Sequence, residues 1–95
     1  MHAAALCVEL HIPEARSLKD KRAAIKPIVE GSRRRFGVAA AEVGKQDRWQ
    51  AAELAFAAVA SSAGHVQEVL SSVERFIWSF TEVEVLSCET HWWGT

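Results

Sequence analysis

The chain has 95 residues, 49% hydrophobic and 24% charged, and its net charge at pH 7 is −1. These values are typical of a globular protein with one modest core, so we expect a single domain over residues 1–95, and no apolar run approaches the roughly 20 residues of a membrane-spanning helix. Two cysteines are too few for a disulfide framework, and the first residues lack the basic start of a signal peptide, which together favour the cytoplasm.

The first predicted element is a strand over Ala3–Ile12. Its even-numbered positions from residue 6 onward are apolar, and Cys7, Glu9 and His11 alternate with them. A period of two is typical of a strand with one buried face and one face open to solvent. We therefore expect these three side chains on the open face.

The second element is an amphipathic helix over Ser17–Phe36. At about 100° per residue, its apolar positions form one stripe that faces the core. Ser17 suits the N-cap position and Gly37 suits the C-terminal stop. Pro27 lies opposite the stripe, so we expect the helix to bend around the core rather than break. The core-facing side consists of Leu18, Ile25, Val29, Ser32 and Phe36, with Ile28 beside them.

Basic residues concentrate along this helix. The segment Arg16–Arg35 holds eight Lys or Arg and two acidic residues, a local charge of +6. Residues 1–48 carry +4, whereas residues 49–95 carry −5. A basic helix face suits phosphate groups, although the same pattern also occurs on solvated faces that bind nothing. The candidate nucleic-acid-binding residues are Arg16, Lys19, Lys21, Arg22, Lys26 and Arg33.

The remaining elements follow from the same periodic patterns. Trp49 is interpreted as a packed anchor of a polar loop, and His91–Thr95 is predicted to be a tail. The predicted elements are a strand over Val38–Val43, the polar loop over Lys45–Gln50, a strand over Ala51–Ala60, a helix over Ala63–Ser79 and a strand over Glu82–Glu89.

The order β-α-β-β-α-β predicts an α+β fold of the ferredoxin-like class. Two helices can cover only one face of a four-stranded sheet, and right-handed crossovers place the first and third strands at its centre. The strands then form an antiparallel sheet whose second face stays open. The side chains predicted on that open face are Cys7, Glu9, His11, Glu53, Ala55, Ala57, Glu82, Glu84 and Leu86.

Two segments carry a resemblance to a known family. The runs HIPEARSLKDKR (His11–Arg22) and QDRWQ (Gln46–Gln50), with the second-helix pattern, resemble the YlxP-like family of small bacterial proteins of unassigned function. This family is ferredoxin-like, and its genes tend to lie beside those for a translation initiation factor and a ribosome-binding factor. The resemblance therefore implies a role near the ribosome or its RNA, and leaves the role of the second run open. The matching positions are Lys19, Lys21, Arg22, Gln46, Asp47, Trp49 and Gln50.

Two functions remain open at this point. The first is RNA or ribosome binding through the basic helix, by phosphate contacts that weaken with salt. Base stacking on the sheet is disfavoured, because the predicted open face carries Glu9 and Glu53 and its central strands show no aromatic residue there. The second function is a homo-oligomeric protein-interaction module with no nucleic-acid role. We expect a homodimer as well as, or instead of, RNA binding.

Enzymatic chemistry is not expected. His11 beside Glu9 comes nearest to an acid–base pair, but a strand histidine is more often structural or solvated. Cys7 and Cys88, expected on the same side of adjacent strands, have no histidine pair to complete a metal site. The chain also has no glycine-rich phosphate-binding loop. We therefore predict no catalytic residue, no metal and no cofactor.

Overall fold

The structure, a computed structural model, describes residues 1–94. In chain order its elements are β1 (His2–His11), α1 (Leu18–Phe36), β2 (Ala39–Gly44), β3 (Ala51–Ala60), α2 (Ala63–Trp78) and β4 (Glu84–Gly94). The strands form one antiparallel sheet in the order β2-β3-β1-β4, and both helices pack on one of its faces. This confirms the predicted α+β ferredoxin-like fold. Neither of the two helices in residues 1–94 is long and apolar enough to cross a membrane.

The helix-covered face of the sheet forms the core. Val8 and Leu10 of β1 and Leu54 and Phe56 of β3 are fully buried, as the alternation in the sequence predicts. Burying a side chain of this size contributes roughly 1.5–3 kcal/mol, so this layer is a major source of stability. The buried residues that α2 contributes are Val66, Leu70, Val73 and Ile77.

The second face of the sheet is covered by no helix or strand of residues 1–94. The cross-strand register arranges its side chains in rows. At one end Ala3 lies between Val59 and Trp93, and nearer the other end Glu9 lies opposite Glu53. The open face is therefore apolar at the end where β1 begins and acidic toward the end where β1 finishes.

The helix α1 is defined by caps that the sequence predicts. The hydroxyl of Ser17 accepts a hydrogen bond from the backbone N–H of Asp20 at 3.0 Å. Gly37 has a φ of 67°, in the left-handed region that favours glycine, and its N–H donates to the carbonyl of Arg33. Pro27 is exposed inside an unbroken helix, in agreement with its place opposite the apolar stripe.

The strand β4 differs most from its prediction. It begins at Glu84 rather than Glu82 and continues to Gly94, where a tail from His91 was expected. The additional residues pair with the first half of β1, because strand-favouring Thr and Trp side chains meet the edge of β1 that β3 leaves free. Thr95, the last residue of the predicted tail, lies outside the described residues.

A β-bulge interrupts the pairing of β4 with β1. The register shifts by one residue between Val85 and Ser87, which leaves Leu86 as the extra residue. Beyond the bulge Cys88 packs against the core, whereas Cys7 lies on the open face. The expectation that the two cysteines share a side is therefore wrong, because strict alternation along β4 does not anticipate the bulge.

Candidate nucleic-acid interface

The two sequence segments that resemble the YlxP-like family meet at one end of the sheet. The backbone N–H of Ile12 donates to the carbonyl of Gln50 at 2.9 Å. The side-chain amide of Gln50 donates to the carbonyls of Pro13 and Ala15, at 3.2 and 3.1 Å. Gln50 therefore fastens the loop between β2 and β3 to the segment that leads into α1.

Lys21 joins the same two segments from inside the fold. Its side chain is only 2% exposed. The ammonium Nζ donates to the carbonyl of Lys45 at 2.7 Å and lies 2.6 Å from Oε2 of Glu42. Lys21 was predicted among the nucleic-acid contacts, but its charged end is enclosed by the protein and does not reach a ligand. It lies on the side of α1 that carries Ile25 and Ile28, and this position determines its burial.

Lys45 extends this connection to β1. Its ammonium pairs with the carboxylate of Glu9, and its backbone adopts a left-handed conformation with a φ of 58°. Sequence reasoning missed Glu9, Glu42 and Lys45 as parts of one ionic network. The available signal was the spacing of Lys21, which is four residues before Ile25 and therefore on the core side of the helix.

The exposed cations of α1 line a groove beside β2. The groove has a volume of about 400 Å³, and Ile25, Val29 and Ala41 provide its apolar floor. Arg33 also donates from its guanidinium to the carbonyl of Ala40, which leaves its other N–H groups available. The charged residues that line the groove are Arg22, Lys26, Glu30, Arg33 and Glu42.

Arg16 and Lys19 continue the basic surface at the start of α1. Both side chains are exposed, as are Arg22 and Lys26. In the part of the chain that the structure describes, the cationic groups within 4.0 Å of a carboxylate belong to Lys21, Lys45 and two histidines. Among the described residues, no carboxylate therefore pairs with Arg16, Lys19, Arg22 or Lys26.

The tip of the loop between β2 and β3 is exposed to solvent. Gln46, Asp47, Arg48 and Trp49 are all exposed, and 53% of the Trp49 surface is accessible. The interpretation of Trp49 as a packed anchor is wrong, because Gln50 and Lys21 fasten the loop instead. The structure thus brings the loop and the first turns of α1 together at one end of the molecule.

The chain is similar to known proteins along most of its length. A family model described as "Protein of unknown function (DUF503)" matches residues 3–90. The chain belongs to this family. It is also 40% identical over 84 residues to the "Uncharacterized protein YlxP" of Bacillus subtilis (strain 168), a match that covers 88% of this chain and 91% of that protein. The resemblance to the YlxP-like family is thereby confirmed.

Cys7, Glu9, Glu53 and Glu89 of this DUF503 chain line one small depression on the open face of the sheet, and its lining contains no histidine. His11 contacts Glu84 through Nδ1 at 2.6 Å, whereas Glu9 pairs with Lys45, so His11 and Glu9 do not form the acid–base pair that the sequence already disfavours. In residues 1–94, no group of three or more His, Cys, Asp or Glu side chains is placed to hold a metal ion.

The pKa values of both thiols of this family member are raised, which makes the thiols less reactive. Burial, followed by the nearby charge of Glu74, raises the pKa of Cys88 to about 11. Burial, followed by the charges of Glu53 and Glu89, also raises the pKa of Cys7. A thiol must lose its proton to act as a nucleophile, so neither cysteine is activated at neutral pH.

Proposed function

We propose that this protein is a non-enzymatic domain that binds RNA, either free or in the ribosome, through the exposed cations of α1. The observation that carries the proposal is a row of basic side chains along one side of that helix, which no carboxylate of the described residues pairs with. The row consists of Lys19, Arg22, Lys26 and Arg33. Phosphates of the ligand would replace the counterions around Arg22, Lys26 and their neighbours, and the release of these ions would drive binding.

The geometry of the row suits an extended backbone. From Arg22 to Arg33 the helix rises about 16 Å, because each residue of an α-helix advances about 1.5 Å. Lys26 lies between them, and Lys19 extends the row toward the helix start. An extended nucleic-acid strand places phosphates along such a length, whereas a single small anion would use only one of these cations.

The open face of the sheet is a poor site for the same ligand. Glu53 lies opposite Glu9 on the two central strands, and although Lys45 pairs with Glu9, the charge of Glu53 repels phosphate. Phe56, the aromatic residue of those strands, is buried on the helix side. Recognition by base stacking on the two central strands is therefore disfavoured, and α1 is the better interface.

A salt series tests the proposal. Replacing Lys19, Arg22 and Lys26 together by glutamine is expected to abolish filter binding to RNA at physiological salt. The slope of log K against log[salt] should become shallower by about 2, since each lost contact to a single strand contributes about 0.7. All three side chains are exposed, so the melting temperature should change little.

A matched control uses basic residues outside the row. Replacing Arg34 and Arg75 by glutamine removes charge from α1 and from α2 but leaves the groove intact. This variant should retain most of the affinity and most of the slope. Equal losses in both variants would contradict the assignment to the row, and no binding of the natural protein at low salt would refute RNA binding altogether.

Self-association is a second candidate function, and the open face of the sheet favours it. Val59 is 66% exposed and Trp93 is 59% exposed, and Ala39 of β2 and Ala57 of β3 are also exposed. Three rows of side chains on four strands cover about 400 Å² at ordinary strand spacings. Two such faces would bury about 800 Å² in total, which suits a weak, reversible homodimer.

A separate measurement tests whether the protein forms a homodimer. In sedimentation velocity, the natural protein should sediment faster as its concentration rises, and Ala57→Glu should remain monomeric because it places a charge in the apolar contact. Ala63→Glu, at the exposed start of α2, should behave like the natural protein. A monomer at every concentration would contradict this candidate without affecting the RNA proposal.

A further inference from the structure

The loop between β2 and β3 presents a large aromatic side chain on a fastened backbone. The N–H of Arg48 donates to the carbonyl of Lys45 at 3.1 Å, and that carbonyl also accepts from Lys21. At its other end the loop is held through the backbone and side chain of Gln50. None of these contacts uses the indole of Trp49, which stays more than half exposed.

An exposed tryptophan on a held loop differs from the usual place of this residue. Tryptophan is among the side chains with the most apolar surface, and folding normally covers most of it. Here the hydrogen bonds that hold the loop would remain if Trp49 were smaller. The exposed indole is therefore unnecessary for the loop conformation, and it is free to take part in binding.

The position of the loop connects it with the basic row. Gln50 donates directly to the carbonyl of Ala15. Trp49 immediately precedes Gln50, and Arg16 immediately follows Ala15. Chain geometry then keeps their Cα atoms within roughly 15 Å of each other. The bond from Lys21 to Lys45 likewise places the loop beside the turn of α1 in which Arg22 follows Lys21.

We infer that this loop is a subsite for an unpaired nucleobase, with the indole of Trp49 as its stacking surface. The inference rests on the proposed RNA binding and specifies its ligand as single-stranded or bulged RNA. An indole stacks on any base, whereas a base inside a duplex has no free face to offer. The ligand would thus run along α1 with its phosphates on the cations and place one base on the loop.

The neighbours of Trp49 fit a base better than a phosphate. Gln46 offers an amide that both donates and accepts hydrogen bonds, and Asp47 offers an acceptor for base amino groups. The carboxylate of Asp47 also repels phosphate from the loop tip. Arg48 is exposed beside the indole and can neutralise the phosphate that follows the stacked base.

The test compares three probes by fluorescence anisotropy: a single-stranded RNA of ten nucleotides, a perfect RNA duplex, and heparin. Trp49→Ala should weaken single-strand binding roughly tenfold to hundredfold, the usual effect of losing one stacked base. Its affinities for the duplex and for heparin should stay within about twofold. Trp49→Phe should retain most of the single-strand affinity, because a phenyl ring also stacks.

Trp78→Ala provides the matched control. Trp78 is 61% exposed at the end of α2, so its replacement removes an equally accessible indole from another part of the surface. This variant should bind all three probes as the natural protein does, and thermal melting should show that both alanine variants remain folded.

The outcomes separate this inference from the proposed function. If Trp49→Ala and Trp78→Ala behave alike, or if Trp49→Ala weakens duplex and single-strand binding equally, the stacking subsite is refuted and binding by α1 stands. If Trp49→Ala weakens single-strand binding and the triple glutamine variant does not, the assignment to α1 fails and the subsite stands. If the natural protein binds none of the three probes, both fail.

Discussion

Lys21→Ala is expected to lower the free energy of unfolding by roughly 3 kcal/mol, a typical cost of breaking a buried ion pair by removing one partner. The lysine is almost completely enclosed, and its ammonium serves both the carboxylate of Glu42 and the carbonyl of Lys45. Alanine would leave the carboxylate without its counter-charge, the carbonyl without its donor and a cavity where the aliphatic stem packed. For a chain of this size the melting temperature should fall by about 12–20 °C.

Lys26→Ala is the control for this substitution, because Lys26 is exposed on the same helix. Its effect on stability should stay within about 0.5 kcal/mol. A double variant, Lys21→Met with Glu42→Leu, should be more stable than Lys21→Ala, since it removes both charges and keeps the volume. Chemical denaturation measures all three variants. Equal stability of Lys21→Ala and Lys26→Ala would show that the buried contacts of Lys21 contribute nothing.

Gly31→Leu is expected to destabilise the protein by roughly 2–3 kcal/mol through overpacking. Gly31 is buried in α1 where α2 crosses it, and a Cβ atom there would lie 2.7 Å from Cζ of Phe76. The ring of Phe76 has little room to retreat, because Phe36 and Phe80 contact it edge-on with centroids 5.6 and 5.0 Å away. Leucine would therefore force the two helices apart.

Gly64→Leu tests whether Gly31→Leu destabilises the protein through lack of space or through the replacement of a helical glycine. Gly64 lies in the first turn of α2, and no atom of residues 1–94 lies within 4 Å of an added Cβ. Since leucine favours helix over glycine, this substitution should raise stability by up to about 1 kcal/mol. Opposite signs in the two unfolding curves are the expected result. A stabilising effect of Gly31→Leu would show that the Phe76 cluster rearranges freely.

The fold could be predicted because most of its elements bury one face with a clear period. The strand β3 has the bounds that its alternation indicates, and α2 ends one residue before its predicted end. Ser17 and Gly37 mark the ends of α1 through chemistry that is local in sequence. These signals depend on neighbouring residues alone, so a single sequence contains them.

The candidate site could be predicted only in part, because several of its contacts join residues far apart in the chain. Lys21 reaches a carbonyl 24 residues away, and a helical wheel that treats lysine as polar assigns it to the surface. The same limitation applies to Trp49, whose exposure depends on contacts made by Gln50 and Lys21. The bulge at Leu86 depends on how β4 meets β1, and no local pattern marks it.

The bulge at Leu86 also affects how this protein meets other copies of itself along its sheet borders. An edge strand with a regular row of free N–H and C=O groups is a template for fibril growth. β4 is such an edge, and the extra residue separates Glu84 and Val85 from the eight positions of residues 87–94 and increases the local twist. At the opposite border β2 has only six residues, and Arg33 occupies the carbonyl of Ala40. β2 and the first residues of β4 are therefore poor starting points for amyloid-like extension, whereas residues 87–94 form the longer regular edge.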